Sequence, residues 1–152
     1  MTILVLRHAH AGARSDWTGD DAVRPLSERG WRQANGVVEQ YTDRPVERIL
    51  SSPLTRCVQT VEPLADARGL RIEQEDAIAE GATLDAVIRL LRDLDGTHAV
   101  LCSHGDVIEL LLTDLHHQGV TFTDPLRWQK GSTWVLDGGA EPVTAAYLPP
   151  PA

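Results

Sequence analysis

Cysteine, long apolar runs and positive charge are all scarce in this sequence, and each shortage argues against a class of protein. The two cysteines, Cys57 and Cys102, lie inside apolar segments without CxxC spacing. This pattern indicates reduced core residues in a cytoplasmic protein rather than a disulfide framework. No apolar run approaches the length of a membrane span. A strand-like segment starts already at Thr2, so we expect neither a membrane anchor nor a signal peptide.

The balance of charge narrows the range of partners. The chain has 14 Lys and Arg residues against 22 Asp and Glu residues, which gives a formal net charge of -8. This charge argues against nucleic acid or an anionic membrane surface as the main partner. A small anionic ligand remains compatible with it, because a local cluster of arginines can make a single pocket positive.

The length and the apolar pattern indicate one α/β domain. A chain of 152 residues can bury a real core, and we predict a domain over residues 1–148 with a frayed proline-rich tail over residues 149–152. Apolar runs and spacing predict strands over 2–6, 46–50, 70–73 and 99–102, helices over 27–41, 53–69, 84–94 and 107–115, and a hairpin from 131–136 and 143–147. This alternation predicts a three-layer α/β/α architecture with a mostly parallel central sheet.

Single residues set several helix boundaries. Ser52 is predicted to cap the second helix, with Pro53 at its first position, and Pro63 predicts a kink or an early end of that helix. In the first helix, Gly30 and Gly36 weaken the helix propensity without reversing the assignment.

Reactive side chains follow four of the predicted strands. They are Arg7 and His8 after the first strand, Arg56 after the second, Glu80 after the third, and His104 and Gly105 after the fourth. Each residue alone is typical of a solvated loop or helix surface. Because the carboxyl ends of parallel strands meet at one edge of a sheet, we expect the set to converge there.

Three segments resemble the signatures of the histidine phosphatase superfamily, which includes the phosphoglycerate mutases and the small phosphohistidine phosphatases. They are Leu6-Arg7-His8-Ala9, Ser51 to Arg56 with Gln59-Thr60 after it, and Ser103-His104-Gly105. The resemblance implies a phosphoglycerate mutase-like fold and a phosphatase that uses no metal and no cofactor.

The resemblance also implies roles for the strand-end residues. His8 would be the nucleophile, neutral, with its other ring proton held by a backbone carbonyl. Arg7 and Arg56 would bind the phosphoryl oxygens through their forked donors. A protonated His104 would stabilise charge on the transferring group, and Gly105 would contribute to binding.

The proton donor has more than one candidate. Glu80 aligns with the family's donor and would protonate the leaving oxygen, then help to activate water. Glu75, Asp76 and Asp106 are nearby alternatives.

Two positions depart from the family pattern. Ala9 stands where the family usually carries glycine, which removes some backbone freedom. Arg14 lies near the position of an asparagine that touches the phosphate in many members, so that contact is left open.

A metal site is the alternative interpretation of the first histidines. His8 and His10, at i and i+2, would project to one side of an extended backbone, and His116 and His117 add two more imidazoles. Such sites need a further carboxylate or histidine at ligand spacing, whereas the neighbours of His8 are arginines, which repel a cation. We therefore predict no metal. His10 is a candidate for a phosphate contact at the pocket rim, but a plain loop position is the favoured interpretation.

A second resemblance bears on the substrate. Gly19-Asp20-Asp21, Arg24-Pro25-Leu26 and Arg127 with the segment Lys130 to Trp134 resemble the phosphatase domain fused behind a Nudix domain in some actinobacterial nucleotide-sanitising enzymes. Residues 74–83 leave room for only a short lid. We therefore expect an open pocket for a bulky substrate, namely a phosphorylated small molecule, a nucleotide or a phosphoprotein.

Three other functions compete with the phosphatase. A mutase is disfavoured, because it must keep its phosphohistidine from water. A non-catalytic phosphate-binding module would not need a nucleophile. A metal-dependent hydrolase would have to be centred on His8 and His10.

Overall fold

The computed structural model describes residues 1–152 as seven strands and four α-helices. The strands are β1 (Thr2–Arg7), β2 (Arg48–Ser51), β3 (Ile72–Gln74), β4 (Ala99–Ser103), β5 (Thr121–Phe122), β6 (Thr133–Asp137) and β7 (Thr144–Leu148). The helices are α1 (Glu28–Gln40), α2 (Thr55–Arg68), α3 (Leu84–Asp93) and α4 (Gly105–His117), and short 3-10 turns occur at Arg14–Asp16, Asp21–Val23 and Asp76–Ile78. None of the helices is both long and apolar enough to cross a membrane.

The seven strands form one sheet in the order β3-β2-β4-β1-β6-β7-β5. β4 pairs in parallel with both β1 and β2, and β2 pairs in parallel with β3. β6 is antiparallel to β1 and β7, while β5 is parallel to β7. The predicted mostly parallel sheet and closing hairpin are therefore confirmed, and the ends of β1, β2 and β4 lie side by side.

Helices cover both faces of this sheet. Along β1, Ile3 and Val5 belong to the core that includes residues of α3 and α4, while Leu4 and Leu6 belong to the core that includes residues of α1 and α2. This alternation is expected of a pleated strand that is buried on both sides. The three-layer prediction is confirmed. The buried part of β1 ends at Leu6, and the polar residues Arg7 and His8 follow it at the edge of the sheet.

The start of α2 differs from the prediction. Leu54 rather than Ser52 is the cap residue, and the helix begins at Thr55. The hydroxyl of Ser52 lies 2.8 Å from His104 Nε2 instead, so a side-chain partner outside the helix competes with the capping role. Pro63 lies within α2, which continues to Arg68 and so does not end early.

Several further boundaries differ from the prediction: β2, β3 and β6 begin at Arg48, Ile72 and Thr133, each two residues later than expected. α4 begins at Gly105, two residues earlier than expected, and β5 was not predicted. A two-residue strand at the edge of the sheet is too short to produce an alternating pattern in the sequence.

The glycines of α1 allow close contacts. A Cβ atom on Gly30 would collide with the carbonyl oxygen of His10, and one on Gly36 would collide with Pro151. Gln40 Nε2 also donates to Pro149 O at 3.0 Å. The proline-rich segment after β7 therefore packs along α1, where the sequence predicted a frayed tail.

Candidate active site

A cavity of about 320 Å³ opens at the edge of the sheet where β1 and β4 end. Its lining residues are Arg7, His8, Gly12, Ala13, Arg14, Arg24, Arg56, Glu80, His104, Gly105, Asp106 and Lys130. Five of these side chains are cationic and two are acidic. The cavity is therefore locally positive in a chain whose net charge is -8. All predicted site residues except His10 line this cavity.

His8, the first residue after β1, is 5% exposed. Its Nδ1 lies 2.9 Å from Ala9 O, which favours the tautomer that donates from Nδ1 and leaves Nε2 unprotonated. Burial lowers the pKa of His8 to about 3, and repulsion from His104, Arg56 and Arg7 adds to this effect against the opposing hydrogen bond to Ala9. His8 is therefore neutral at physiological pH, and the expected hydrogen bond to a backbone carbonyl is present.

Ala9 is compatible with this geometry although it replaces the family's glycine. No residue other than glycine has a positive φ angle in the structure, so the loop after His8 requires no glycine at that position. The Ala9 backbone N–H donates to Thr60 Oγ1 at 2.9 Å.

His104, the residue after β4, faces His8 with 5.4 Å between the ring centroids. It is 2% exposed, and its Nε2 lies 2.8 Å from Ser52 Oγ. Its Nδ1 is buried and has no partner. Ser52, which follows β2, therefore holds the Nε2 side of the His104 ring in place. The Nδ1 atom on the other side of the ring is left for a ligand.

The two predicted arginines show the same incomplete pairing. Arg7 Nη1 donates to Trp128 O at 2.7 Å, and Arg56 Nη1 donates to Asp21 O at 2.9 Å. The Nε atoms of both arginines are buried without a partner. An unpaired buried donor is costly, and three of the four unpaired buried side-chain atoms belong to this cavity. The site thus presents donors that an anion could satisfy.

Gly105 is the first residue of α4 and packs against Arg7. A Cβ atom at this position would lie 2.9 Å from Arg7 Cζ, so glycine is required for the guanidinium group to approach the helix. The amino-terminal end of α4 thereby borders the cavity, where the helix dipole favours negative charge.

The structure separates the candidate acids. Glu80 and Asp106 line the cavity, whereas Glu75 caps the 3-10 turn Asp76–Ile78 by accepting from Ala77 N. The Glu80 carboxylate accepts from Arg56 at 3.1 Å and from Arg14 at 2.9 Å. Asp106 Oδ2 accepts from Gly81 N at 2.8 Å. The ion pair with Glu80 places Arg14 at the cavity. The Arg14 side chain is 63% exposed.

Asp21 is a residue that the strand-end pattern missed. Its carboxylate lies 2.9 Å from Arg24 Nε, 3.2 Å from Arg56 Nη2 and 3.3 Å from Arg14 Nη2. The pKa of Asp21 is lowered from its usual value, mainly because Arg24 donates a hydrogen bond to the carboxylate. Asp21 therefore orders three of the guanidinium groups that border the cavity, and only its place in the Gly19-Asp20-Asp21 resemblance pointed to it.

Arg24 and Lys130 also reach the cavity from outside the strand ends. Arg24 is 7% exposed and donates from Nη1 to Ala11 O at 2.7 Å. Burial, followed by repulsion from Arg7, Arg24 and Arg56, lowers the pKa of Lys130. Arg24 comes from the loop before α1 and Lys130 from the turn before β6, so no spacing rule linked them to His8.

The remaining histidines do not reach the cavity. His10 Nδ1 lies 2.7 Å from Ser27 Oγ, which caps α1 through Gly30 N. His10 therefore does not line the cavity, which argues against a phosphate contact, and the favoured interpretation, a loop residue, fits the geometry. His116 and His117 lie in the last turn of α4. No group of three or more His, Cys, Asp or Glu residues is close enough to hold a metal ion.

Comparison with protein families matches this chain to one model. The model of the histidine phosphatase superfamily (branch 1) matches residues 3–84. This segment includes Arg7, His8, Arg56 and Glu80.

Curated proteins that are similar in sequence include a bacterial phosphatase and a yeast transcription factor subunit. A Mycolicibacterium smegmatis protein named 8-oxo-(d)GTP phosphatase is 36% identical over 156 residues, which cover 99% of this chain and 48% of that protein. The 55 kDa subunit of transcription factor tau from Saccharomyces cerevisiae is 33% identical over 91 residues, or 52% of this chain and 20% of that subunit. The chain thus spans about half the length of the first relative and a fifth of the second.

Solved structures share the fold. The protein histidine phosphatase SixA complexed with tungstate superposes with a TM-score of 0.78 at 21% identity, covering 100% of this chain and 97% of that chain. The mycobacterial glucosyl-3-phosphoglycerate phosphatase has a TM-score of 0.68 at 16% identity, with 96% of both chains covered.

Proposed function

This chain belongs to the histidine phosphatase superfamily, and we propose that it is a metal-independent phosphatase that acts through a phosphohistidine intermediate on His8. The family resemblance and the phosphoglycerate mutase-like fold predicted from the motifs are confirmed, and the comparisons support a phosphatase. The observation that carries the proposed mechanism is the cavity itself. A neutral histidine lies in it beside the buried Nε donors of Arg7 and Arg56 and the buried Nδ1 atom of His104, none of which has a partner.

The first half-reaction transfers the phosphoryl group to His8. Arg7 Nε, Arg56 Nε and His104 Nδ1 would bind the phosphoryl oxygens and stabilise their charge in the transition state. The His8 Nε2 lone pair attacks phosphorus, a P–N bond forms and the ester P–O bond breaks. The hydrogen bond from Nδ1 to Ala9 O disperses the positive charge that develops on the ring. A protonated carboxyl group gives its proton to the leaving oxygen.

The second half-reaction releases phosphate. The same carboxylate takes a proton from water, the water oxygen attacks phosphorus, and the P–N bond breaks to restore neutral His8. Glu80 fits this role because its carboxylate lines the cavity and its side chain is 40% exposed, which allows exchange with water. Asp106 lines the same cavity and is the alternative donor.

The substrate is proposed to be a phosphomonoester with a bulky organic group. The relative named 8-oxo-(d)GTP phosphatase supports a nucleotide. The short segment between β3 and α3 leaves the cavity open, and a phosphorylated small molecule or phosphoprotein would also fit such an opening.

The test is hydrolysis of p-nitrophenyl phosphate by the wild type and by His8→Ala, with and without EDTA. We expect turnover that resists EDTA and falls by at least a factor of about 10³ in His8→Ala, because the alanine side chain has no nitrogen that could accept the phosphoryl group. His10→Ala is the matched control, since His10 contacts Ser27 and lies outside the cavity, and it should keep its activity.

The other outcomes favour the competing functions. Turnover that EDTA removes would favour a metal-dependent hydrolase. A wild type that is inert on p-nitrophenyl phosphate, nucleotides and phosphohistidine peptides, but still binds phosphate, would favour a binding module.

A further inference from the structure

A second cavity adjoins the phosphate cavity on the side of the loop between β1 and α1. It has a volume of about 260 Å³ and shares Gly12, Ala13 and Arg24 with the phosphate cavity. Trp17 and Pro25 add apolar surface to its lining. Because the two cavities share walls, a ligand that places its phosphate in one can extend its organic group into the other.

Trp17 is held in a fixed position although it is 37% exposed. Its Nε1 donates to Asp20 O at 3.0 Å. A Cβ atom on Gly19 would lie 3.2 Å from Nε1 and 3.4 Å from Cε2, so the Gly19 backbone packs against the indole. An exposed aromatic side chain that is immobilised before binding can contact a ligand at a low cost in conformational entropy.

The same short segment connects Trp17 to the phosphate site. Gly19 and Asp20 hold the indole, and Asp21 bonds to Arg24 and Arg56. Three consecutive residues therefore fix an aromatic ring relative to the guanidinium groups that border the phosphate cavity. This linkage gives a physical role to the Gly19-Asp20-Asp21 motif, which the phosphoryl chemistry uses only in part.

We propose that the second cavity is a nucleobase subsite, in which Trp17 stacks on the base of a nucleoside phosphate while its phosphate occupies the cavity of His8. The proposal rests on the proposed phosphatase function and narrows its substrate to a nucleoside phosphate. Every base presents a flat π surface, and a stacked aromatic side chain typically accounts for a factor of about 5 to 100 in affinity. The two cavities, about 320 and 260 Å³, lie near the lower end of the size of ligand pockets and are suited to two parts of one ligand.

The first test compares guanosine 5′-monophosphate with ribose 5-phosphate, two substrates that share the phosphate and the sugar but differ in the base. In the wild type, kcat/KM should be higher for the nucleotide. Trp17→Ala should lower the ratio of the two kcat/KM values about tenfold, mainly through a higher KM for the nucleotide. Trp17→Phe should retain most of the ratio, because it keeps an aromatic face. Val23→Ala is the matched control, since Val23 is 54% exposed in the same loop and lines neither cavity.

The second test measures binding without turnover. Guanosine 5′-monophosphate added to His8→Ala protein should quench tryptophan fluorescence, and ribose 5-phosphate should not. The quenching should disappear when Trp17→Phe is added to His8→Ala. This measurement also decides the matter if Trp17→Ala does not fold.

The outcomes distinguish this inference from the proposed function. If the wild type hydrolyses both substrates equally well, or if Trp17→Ala and Val23→Ala give the same ratio as the wild type, the nucleobase subsite is wrong and the phosphatase stands. Activity on phosphohistidine peptides alone would likewise overturn the subsite. If no phosphorylated substrate is hydrolysed, the proposed function itself fails.

Discussion

At the scale of single residues, His8 combines deep burial with a free ring nitrogen. Burial, with repulsion from His104, Arg56 and Arg7 adding to it, lowers the pKa of His8 so far that the ring is neutral at physiological pH. A buried neutral imidazole next to the half-buried Arg7 and the buried Arg56 is unfavourable for stability alone. It is suited to nucleophilic attack on a phosphate that those arginines hold.

The depressed pKa of His8 predicts a specific dependence of stability on pH. The folded state keeps His8 neutral down to a pH of about 3, whereas the unfolded chain protonates it below about 6.5. The unfolded state therefore binds the additional proton as pH falls through this window, and the free energy of unfolding should decrease by about 1.4 kcal/mol per pH unit from this residue.

Urea unfolding of the wild type and of His8→Gln between pH 6.5 and 4 measures this contribution. The difference between the two proteins isolates His8, because glutamine does not titrate and the other ionisable groups are common to both. The free energy of unfolding should fall more steeply with acid in the wild type. Parallel curves would show that His8 is not held neutral in the folded state.

At the scale of elements, Thr60 of α2 connects the loop after β1 to the helix that carries Arg56. Its Oγ1 accepts from Ala9 N at 2.9 Å and donates to Arg56 O at 2.6 Å. One buried hydroxyl thereby couples the peptide that positions His8 to the first turn of α2.

Replacing Thr60 by valine should break this connection while keeping the side-chain shape. The buried Ala9 N–H would lose its acceptor, at a cost of about 1–3 kcal/mol in the free energy of unfolding. Since Ala9 O holds the His8 ring, kcat/KM should fall as well. Thr60→Ser keeps the hydroxyl and is the control: it should lose less activity than Thr60→Val. Equal losses of activity in the two variants would rule out a role for the hydrogen bond.

The elements also show where sequence patterns succeed and fail. Buried strands and amphipathic helices were predictable, because β1 and β4 are apolar on both faces and α1 repeats its apolar residues at helical spacing. The start of α2 was not, since the capping signal of Ser52 is local and its actual partner, His104, lies 52 residues away. The contact between Gly36 and Pro151 was likewise not predictable, because it joins residues that are far apart in the sequence and depends on the path of the segment after β7.

At the scale of the whole molecule, the fold assembles a positive cavity in an acidic protein. The residues that follow the strands could be assigned to this site from the sequence, because the parallel topology brings strand ends together. Asp21, Arg24 and Lys130 come from loops whose paths follow from tertiary packing, so no periodicity or spacing places them at the cavity. The position of Trp17 could not be predicted from the sequence either, because the cavity that it lines exists only in the folded chain.

The end of the chain offers a test of packing across the whole molecule. Pro151 lies where a Cβ atom of Gly36 would be, and Pro149 accepts from Gln40. In the full chain, Gly36→Ala should lower the free energy of unfolding, because Pro151 must leave its place against α1. In a chain truncated after Leu148 the same substitution should raise it by about 0.5–1 kcal/mol, since alanine is the better helix former and nothing opposes its side chain.

The reversal of sign between the two backgrounds is the decisive measurement, and urea unfolding of the four proteins provides it. Asn35→Ala serves as the control, because Asn35 is exposed on α1 and its substitution should have the same effect in both backgrounds. If Gly36→Ala stabilises the full chain as much as the truncated one, the segment does not pack on α1 in solution. It would then be the frayed tail that its composition predicts. If the sign reverses, the proline-rich segment packs on α1 in solution as it does in the structure.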